Sequence, residues 1–508
     1  MKNNYIILSI FCLLLNITFG NAQISISASS NQNSIAVNTN NTLNVWNEVT
    51  STSITLNNAT KVLVEATIEI NNVSNNSDMT GQFRLTDGSN FSKTIKRFIA
   101  QKSYDDKGIA AISFIFEYPG GTSETKNYTL QHSKFTGNNG ANLFSSKAVI
   151  TAIEIASDNG ILPNSQATAD TESTLSPSYV SVASTSINLP YESNVYVVST
   201  FSTSTSNALA DGSWALRQDN SPISEITRSI LDPASIGAGT IITLLENIPA
   251  GPHTFDLAHK SIDGNNITTS EATISVIALT TANGEILPSI SSLNGSGTSS
   301  INNYTQINQA TLTAPLNGII NNKLFLHTTF NMSASNDDIA YATYKIAKSG
   351  TPGIFTSFEI QRYVPDTKTG SGGLIGIVSD INEGSSFDLS FEHKNSGESG
   401  ILSSTNVNSV GFFLNSDPSL TLSVEEEILN TNILIYPNPS RDFLYLGNNV
   451  TNGETSFKFY TVTGQLMHTI NVLPKTNTKI DVTGWTSGIY IMRATNNGVN
   501  IAKKLIIE

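Results

Sequence analysis

The sequence predicts an all-β protein: three tandem antiparallel β-sandwiches of jelly-roll-like type, followed by a small C-terminal β-sandwich. Three observations predict it. Charged residues make up only 13% of the 508, so Asn, Ser and Thr carry the surface, and that composition favours strands and turns over helices. Short runs of alternating polarity recur along the chain, each bounded by turn residues. The order of these runs also returns three times before a distinct last segment begins.

The chain opens with Lys2, an apolar run from Tyr5 to Phe19, and small residues at Gly20 and Ala22. These are the three parts of a secretory signal, removed after about residue 22. The run is too short to span a bilayer, and no later stretch approaches a spanning helix. The single cysteine, Cys12, lies inside the apolar run. The mature chain is therefore expected to be exported, without disulfides and without a membrane span.

The three copies are placed at 23–157, 158–281 and 282–419, with a linker over 420–429. Their opening strands read VTSTSITLNNATKVLVEATIEI, VASTSINLPYESNVYVVSTFST and INQATLTAPLNGIINNKLFLHTTFNM. Val62, Val195 and Leu324 align, at separations of 133 and 129 residues. Middle strands GQFRLTDG, GSWALRQD and IAYATYKI follow, and later strands match in the same order. Two joints, ASDNGILP at 156–163 and TANGEILP at 281–288, punctuate the copies with glycine and proline. Repeats of this length are whole domains in tandem.

Forty acidic residues against 27 basic give a net charge of −13, which disfavours a phosphate backbone as partner, so no nucleic acid is expected. Each copy carries an arginine between apolar neighbours: Arg97, Arg228 and Arg362. An acid recurs 18 to 20 residues later, as Glu117, Glu246 and Asp380. A buried arginine needs an offsetting charge, so a framework ion pair in every copy is the expectation, with a ligand-binding arginine as the alternative.

Phe83, Trp214 and Tyr341 fall at matching positions of the middle strands. They are either core filler or, if exposed, rings on which a sugar could stack. Trp46 and Trp485 read as packing residues. His132 and His259 also match, with Phe391 in the third copy, which argues against a catalytic histidine. Loops rich in Asn and Asp hold Asp78, Asp211, Asp337 and Asp338. Oxygen donors of this kind serve Ca²⁺ or simply build turns. No HExxH or GxSxG appears. No cofactor and no enzymatic activity are expected, and a carboxylate pair from distant strands would leave no mark in a sequence.

The tail of the second copy, IPAGPHTFDLAHKS then ATISVIAL, resembles the closing strands of C1q- and tumour-necrosis-factor-like jelly rolls and of some phage fibre heads. That likeness implies trimers, so a homo-trimer is an expectation.

From 430 to 508 the pattern changes. ILIYPNPSRDFLYL places two prolines one residue apart, where strand pairing must pause. SFKFYTVTGQLMHTINV is a hairpin turning at Thr463-Gly464, and KIDVTGWTSGIYIMRATNNGVNIAKKLIIE supplies the closing strands, about seven in all. In order, these motifs resemble the type A C-terminal sorting domain of the Bacteroidetes type IX secretion system. Tyr436, Pro437, Asn438, Pro439, Gly464, Gly488 and Tyr490 carry the resemblance, and Val462-Thr463 departs from it. It implies recognition by the type IX machinery and export across the outer membrane, ending in release or surface attachment.

The chain therefore reads as a secreted or surface-displayed binding or adhesive protein, with extracellular glycan as the expected ligand class. Three weak sites on one chain would add avidity. A structural spacer or matrix protein is the rival reading, and a glycan-degrading enzyme a further one.

Overall fold

Alternation builds the outer sheets. In the strand Val180–Leu189, the side chains of Ala183, Thr185, Ile187 and Leu189 are buried and those between them exposed, as a half-buried strand requires. The strands Ala59–Asn72 and Ser193–Ser204 behave differently, being buried almost without interruption. A strand covered on both faces needs a second apolar layer beyond its own sandwich. The three copies supply that layer to one another.

The computed structural model describes residues 28–414 and 432–508, except 34–36, 39–42, 57, 73–76, 100–106, 138–142, 158–159, 232, 281–283, 285, 301–302, 315–321, 336–337, 349–353, 365–367, 383, 396–400, 450–453, 463–464 and 497–498. The signal segment and the linker lie outside these residues. The chain divides into two compact units, 1–417 and 418–508.

In the larger unit each copy contributes eight main strands. The second copy shows the scheme: Asn164–Thr174, Val180–Leu189, Ser193–Ser204, Ala210–Gln218, Ser221–Ile230, Gly237–Ile248, Gly251–Ser261 and Ile267–Ala278. Counted in that order, strands 1-8-3-6 form one sheet and 2-7-4-5 the other. The first and third copies repeat this order, the first adding short pairings at Val37–Asn38 and Gly160–Ile161. Two four-stranded antiparallel sheets in this order make a jelly roll. All-β sandwiches are thus what the alternation and the repeats predicted.

The copies are not strung in a line. Each turns its 1-8-3-6 sheet inward, and one shared apolar cluster joins Leu63, Ile115 and Ile153 of the first copy, Tyr196, Ile242 and Ile277 of the second, and Phe325, Ile375 and Phe412 of the third. Leu162 and Leu287 of the two joints belong to the same cluster, so the joints are structural parts and not loose connections. All three junctions are closed by hydrogen bonds: Phe98 N donates to Ile236 O (2.6 Å), Asn408 Nδ2 to Ser224 Oγ (2.9 Å) and Gln361 N to Glu69 Oε2 (2.7 Å). The three copies form a ring around a pseudo-threefold axis.

At that axis a polar trio interrupts the apolar cluster. Tyr196 Oη donates to the Glu65 carboxylate (3.2 Å) and lies 2.7 Å from His327 Nδ1. One residue comes from each copy, and all three are fully buried. Burial, with the charge of Glu65 beside it, drives the Tyr196 hydroxyl far above its ordinary pKa. The surrounding Leu, Ile and Phe side chains each contribute roughly 1.5–3 kcal/mol by burial, which outweighs the cost of one paired carboxylate.

The smaller unit is a two-sheet sandwich of seven strands. Ile433–Tyr436, Phe443–Asn448 and Thr476–Asp481 form one sheet; Thr455–Thr461, Leu466–Val472, Gly488–Asn496 and Val499–Ile507 form the other. Its core joins Leu444, Phe457, Phe459, Met492 and Leu505.

Candidate functional site

The three recurrent arginines meet. Arg97, Arg228 and Arg362, one from the fifth strand of each copy, line a single cavity of about 100 Å³ together with Ser229, Ser235, Lys368 and Thr369. They are 7%, 6% and 2% exposed. Each guanidinium fills the space left by a glycine at the start of the sixth strand. A Cβ at Gly237 would stand 2.2 Å from Arg228 Nε, one at Gly370 2.2 Å from Arg362 Nη2, and one at Gly108 3.0 Å from Arg97 Nε. The arginine and the glycine are thus one repeated device, which the sequence reading missed because it looked for an acid.

The expected acid partners are at the other end of the same strand. Glu117 pairs with Lys61 (3.0 Å) and Glu246 is exposed. Gly108 and Glu117 are nine residues apart, as are Gly237 and Glu246, and a strand rises about 3.3 Å per residue, so the acids lie near 30 Å from the arginines. Asp380 stands ten residues beyond Gly370 on the corresponding strand, and its side chain is outside the described ones. The framework pairs Arg97–Glu117 and Arg228–Glu246 do not form, and strand length is the reason.

The aromatic positions also resolve differently. Phe83 and Trp214 are fully buried in the cores of their sandwiches. The register shows that Tyr341 is one residue out of step. Phe83 pairs with His132 and Trp214 with His259, but the residue paired with His393 is Ala342. His393 is therefore the third member of the histidine set, and Phe391 lies two residues before it. All three histidines are fully buried, with Nδ1 at 2.5 Å from Ser145 Oγ, 2.7 Å from Thr269 Oγ1 and 2.6 Å from Ser404 Oγ. Desolvation lowers each to a pKa of about 4.

Among the described residues no group of three or more His, Cys, Asp or Glu could hold a metal. Asp78 is exposed, and Asp211 is half-buried with its backbone N–H donating to Asp263 Oδ2 (3.0 Å). Asp338 begins the strand Asp338–Lys348, its side chain outside the described ones, and Asp337 lies outside the described residues altogether.

A second opening lies at the junction of the first two sandwiches. It is a cleft of about 630 Å³ lined by Asn90, Phe91, Lys93, Phe114, Glu117 and Gln166, among others. Gln166 fastens its floor, accepting from Ile115 N (2.6 Å) and donating to Ile115 O (3.3 Å). At its rim the Phe91 ring is 48% exposed, and the Arg84 guanidinium carbon sits 4.0 Å from the centres of both Phe91 and Trp46. Such a stack holds an exposed ring rigid, at the scale of about 0.5–1 kcal/mol for each cation–π contact.

In the C-terminal unit the Pro437 and Pro439 nitrogens carry no hydrogen, and the Asn438 side chain does the pairing instead. Asn438 Nδ2 donates to Lys504 O (2.8 Å), and Ile506 N donates to Asn438 Oδ1 (2.8 Å). Ser440 N then donates to Ile506 O (2.9 Å), and Glu508 N to Ser440 O (2.8 Å). The motif at the start of the unit thereby covers the edge strand at its end. Tyr490 is buried and donates to Thr486 O (2.8 Å); Tyr436 is exposed and stacks on Tyr445. Gly488 opens its strand, and Gly464 lies outside the described residues. Residues 434–508 match the model of the secretion system C-terminal sorting domain.

The C-terminal unit is a type IX sorting domain. The chain is accordingly a cargo of the type IX machinery, exported and then either released or attached to the outer surface. No described helix is long and apolar enough to cross a membrane. Replacing Asn438 with alanine removes both bridging hydrogen bonds, at about 0.5–1.5 kcal/mol each. The Asn438→Ala sorting domain should therefore unfold at a lower temperature than the native one, and an unchanged melting curve would show that the prolines alone hold the edge.

No curated protein matches the chain by sequence. Among solved structures it is similar to PNGF-II in its C2 crystal form (8% identity, 77% of this chain and 98% of that one, TM-score 0.24). It is also similar to a triple jelly-roll protein of an archaeal virus (12%, 73% and 84%, 0.17) and to the CBM22 tandem of Paenibacillus barcinonensis Xyn10C (11%, 50% and 97%, 0.14). Likenesses of this size carry no argument about ligand or activity.

Proposed function

We propose that the protein is an exported, non-catalytic binding protein that recognises extracellular glycan through the cleft between its first two sandwiches. The observation that carries this reading is the open cleft with an exposed, stacked Phe91 at its rim and amide, ammonium and carboxylate groups along its walls. A ring face for the apolar side of a sugar, beside hydrogen-bonding groups for its hydroxyls, is the combination saccharide recognition needs. The proposal moves the ligand contact from Phe83, Trp214 and Tyr341 to Phe91, because Phe83 and Trp214 are core. A non-catalytic role is supported by the three matched histidines, each fully buried and engaged with a hydroxyl at Nδ1.

A glycan-array screen of the purified chain tests the reading. Phe91→Ala should weaken saturable binding about 3- to 10-fold, the scale of one aromatic contact. Silence across the array, or binding indifferent to Phe91, would remove the cleft from consideration. A structural or matrix role is the second reading, and the closed ring with Phe83 and Trp214 buried favours it. We propose no homo-trimer: the inward faces that three separate copies would use are already occupied within one chain. For the same reason avidity would come from several chains on a surface, since the copies do not move as separate modules.

A further inference from the structure

The charges at the cleft between the first two sandwiches decide which glycans it accepts, an inference that rests on the glycan reading. Among the described residues lining the cleft, Lys93 is the one cation and Glu117 the one acid. Both are already engaged. Lys93, on the first copy, pairs across the junction with Asp170, on the strand Asn164–Thr174 of the second. Glu117 pairs with Lys61 (3.0 Å). The strand Asn164–Thr174 presents Gln166 and Thr168 to the cleft, and Asp170 follows two residues on, which holds the acid at the rim. The Asp170 side chain is 88% exposed and that of Lys93 only 27%.

We propose that the cleft selects uncharged glycan over uronate or sulfated glycan, and that Asp170 sets this choice by keeping Lys93 occupied. An acidic sugar reaches the Lys93 ammonium only by displacing Asp170. That step exchanges one carboxylate for another, so it gains almost nothing, and it leaves the freed Asp170 charge beside the sugar's own. Glu117 and the chain's net charge of −13 oppose an anion in the same sense. An uncharged sugar meets no such opposition. It packs on the rings of Phe91 and Phe114, reaches the neutral polar groups of Asn90 and Thr168, and leaves both ion pairs in place.

An array probed with the full chain tests this, with each oligosaccharide backbone printed in two forms of the same linkage: glucan and glucuronan, mannan and mannuronan, galactan and galacturonan. The members of a pair differ only in whether C6 is a hydroxymethyl or a carboxylate. Among spots whose signal falls in Phe91→Ala, the native chain should favour the neutral member. Asp170→Asn removes the acid and keeps its shape. It should shift the ratio toward the uronate member by about 2- to 5-fold, the scale of one exposed charge contact. Binding of the neutral member by the native chain should also change less than about twofold between about 0.05 and 0.5 M sodium chloride. That salt series needs no variant, so it decides the matter if Asp170→Asn does not fold. A uronate member bound as well as its neutral partner, a ratio unmoved in Asp170→Asn, or a steep loss of neutral binding with salt overturns the proposal and leaves the glycan reading intact. Silence on every pair, or signal indifferent to Phe91, removes the glycan reading and the selectivity with it.

Discussion

Lowering the pH from about 6.5 to 4 should destabilise the ring unit steeply, by up to roughly 3 kcal/mol for each of His132, His259 and His393. Burial holds their folded-state pKa at about 4, against about 6.5 for an exposed histidine. Between those values the unfolded chain takes up protons that the folded chain refuses. Stability therefore rises with pH across the window and is lost as pH falls through it. The three effects act on one compact unit, so their sum approaches 10 kcal/mol, comparable to the whole stability of an ordinary domain. Urea unfolding of the chain at intervals of half a pH unit would read the slope. A flat profile between pH 6.5 and 4.5 would mean that the histidines protonate in place, and the burial account would fail.

Trp214→Ala should cost about 3–5 kcal/mol and leave any glycan binding intact. The indole is fully buried, packs on Phe201 with ring centres 5.7 Å apart, and donates from Nε1 to Thr269 Oγ1 (2.7 Å). Its removal opens a cavity that the neighbouring strands cannot fill, and it takes a donor from the hydroxyl that also serves His259. The denaturation midpoint of the ring unit should fall sharply. A variant that unfolds normally but no longer binds ligand would reverse the assignment of Trp214 from core to contact.

Much of the fold was legible because alternation and repetition are local properties. The outer strand Val180–Leu189 announces its buried face at every second residue, and the sorting domain announces itself by motifs within one short segment. The ring left a weaker signal. VLVEATIEI and LFLHTTFNM alternate in polarity, and with VYVVSTF they place only Leu63, Tyr196 and Phe325 as large apolar groups at matching positions on the face turned to the axis. An alternating strand announces one covered face, and the second cover comes only from the packing of the copies. The cleft left no trace at all, since Phe91 and Gln166 are far apart in the chain and meet only across a junction between copies.

The class of fold, the three copies, the sorting domain and the recurrent arginine are all written in the order of residues. Each of these follows from residues near one another in the chain. What the arginines face follows from how the copies pack. Pairing them with Glu117 and Glu246 was reasonable by sequence distance, but nine residues of extended strand beyond Gly108 and Gly237 carry those acids some 30 Å away. The packing of three inward sheets round one axis then brought Arg97, Arg228 and Arg362, spread over more than 260 residues, into a cavity of about 100 Å³. Long-range convergence of this kind depends on how sheets pack against each other, and no spacing along the chain encodes it.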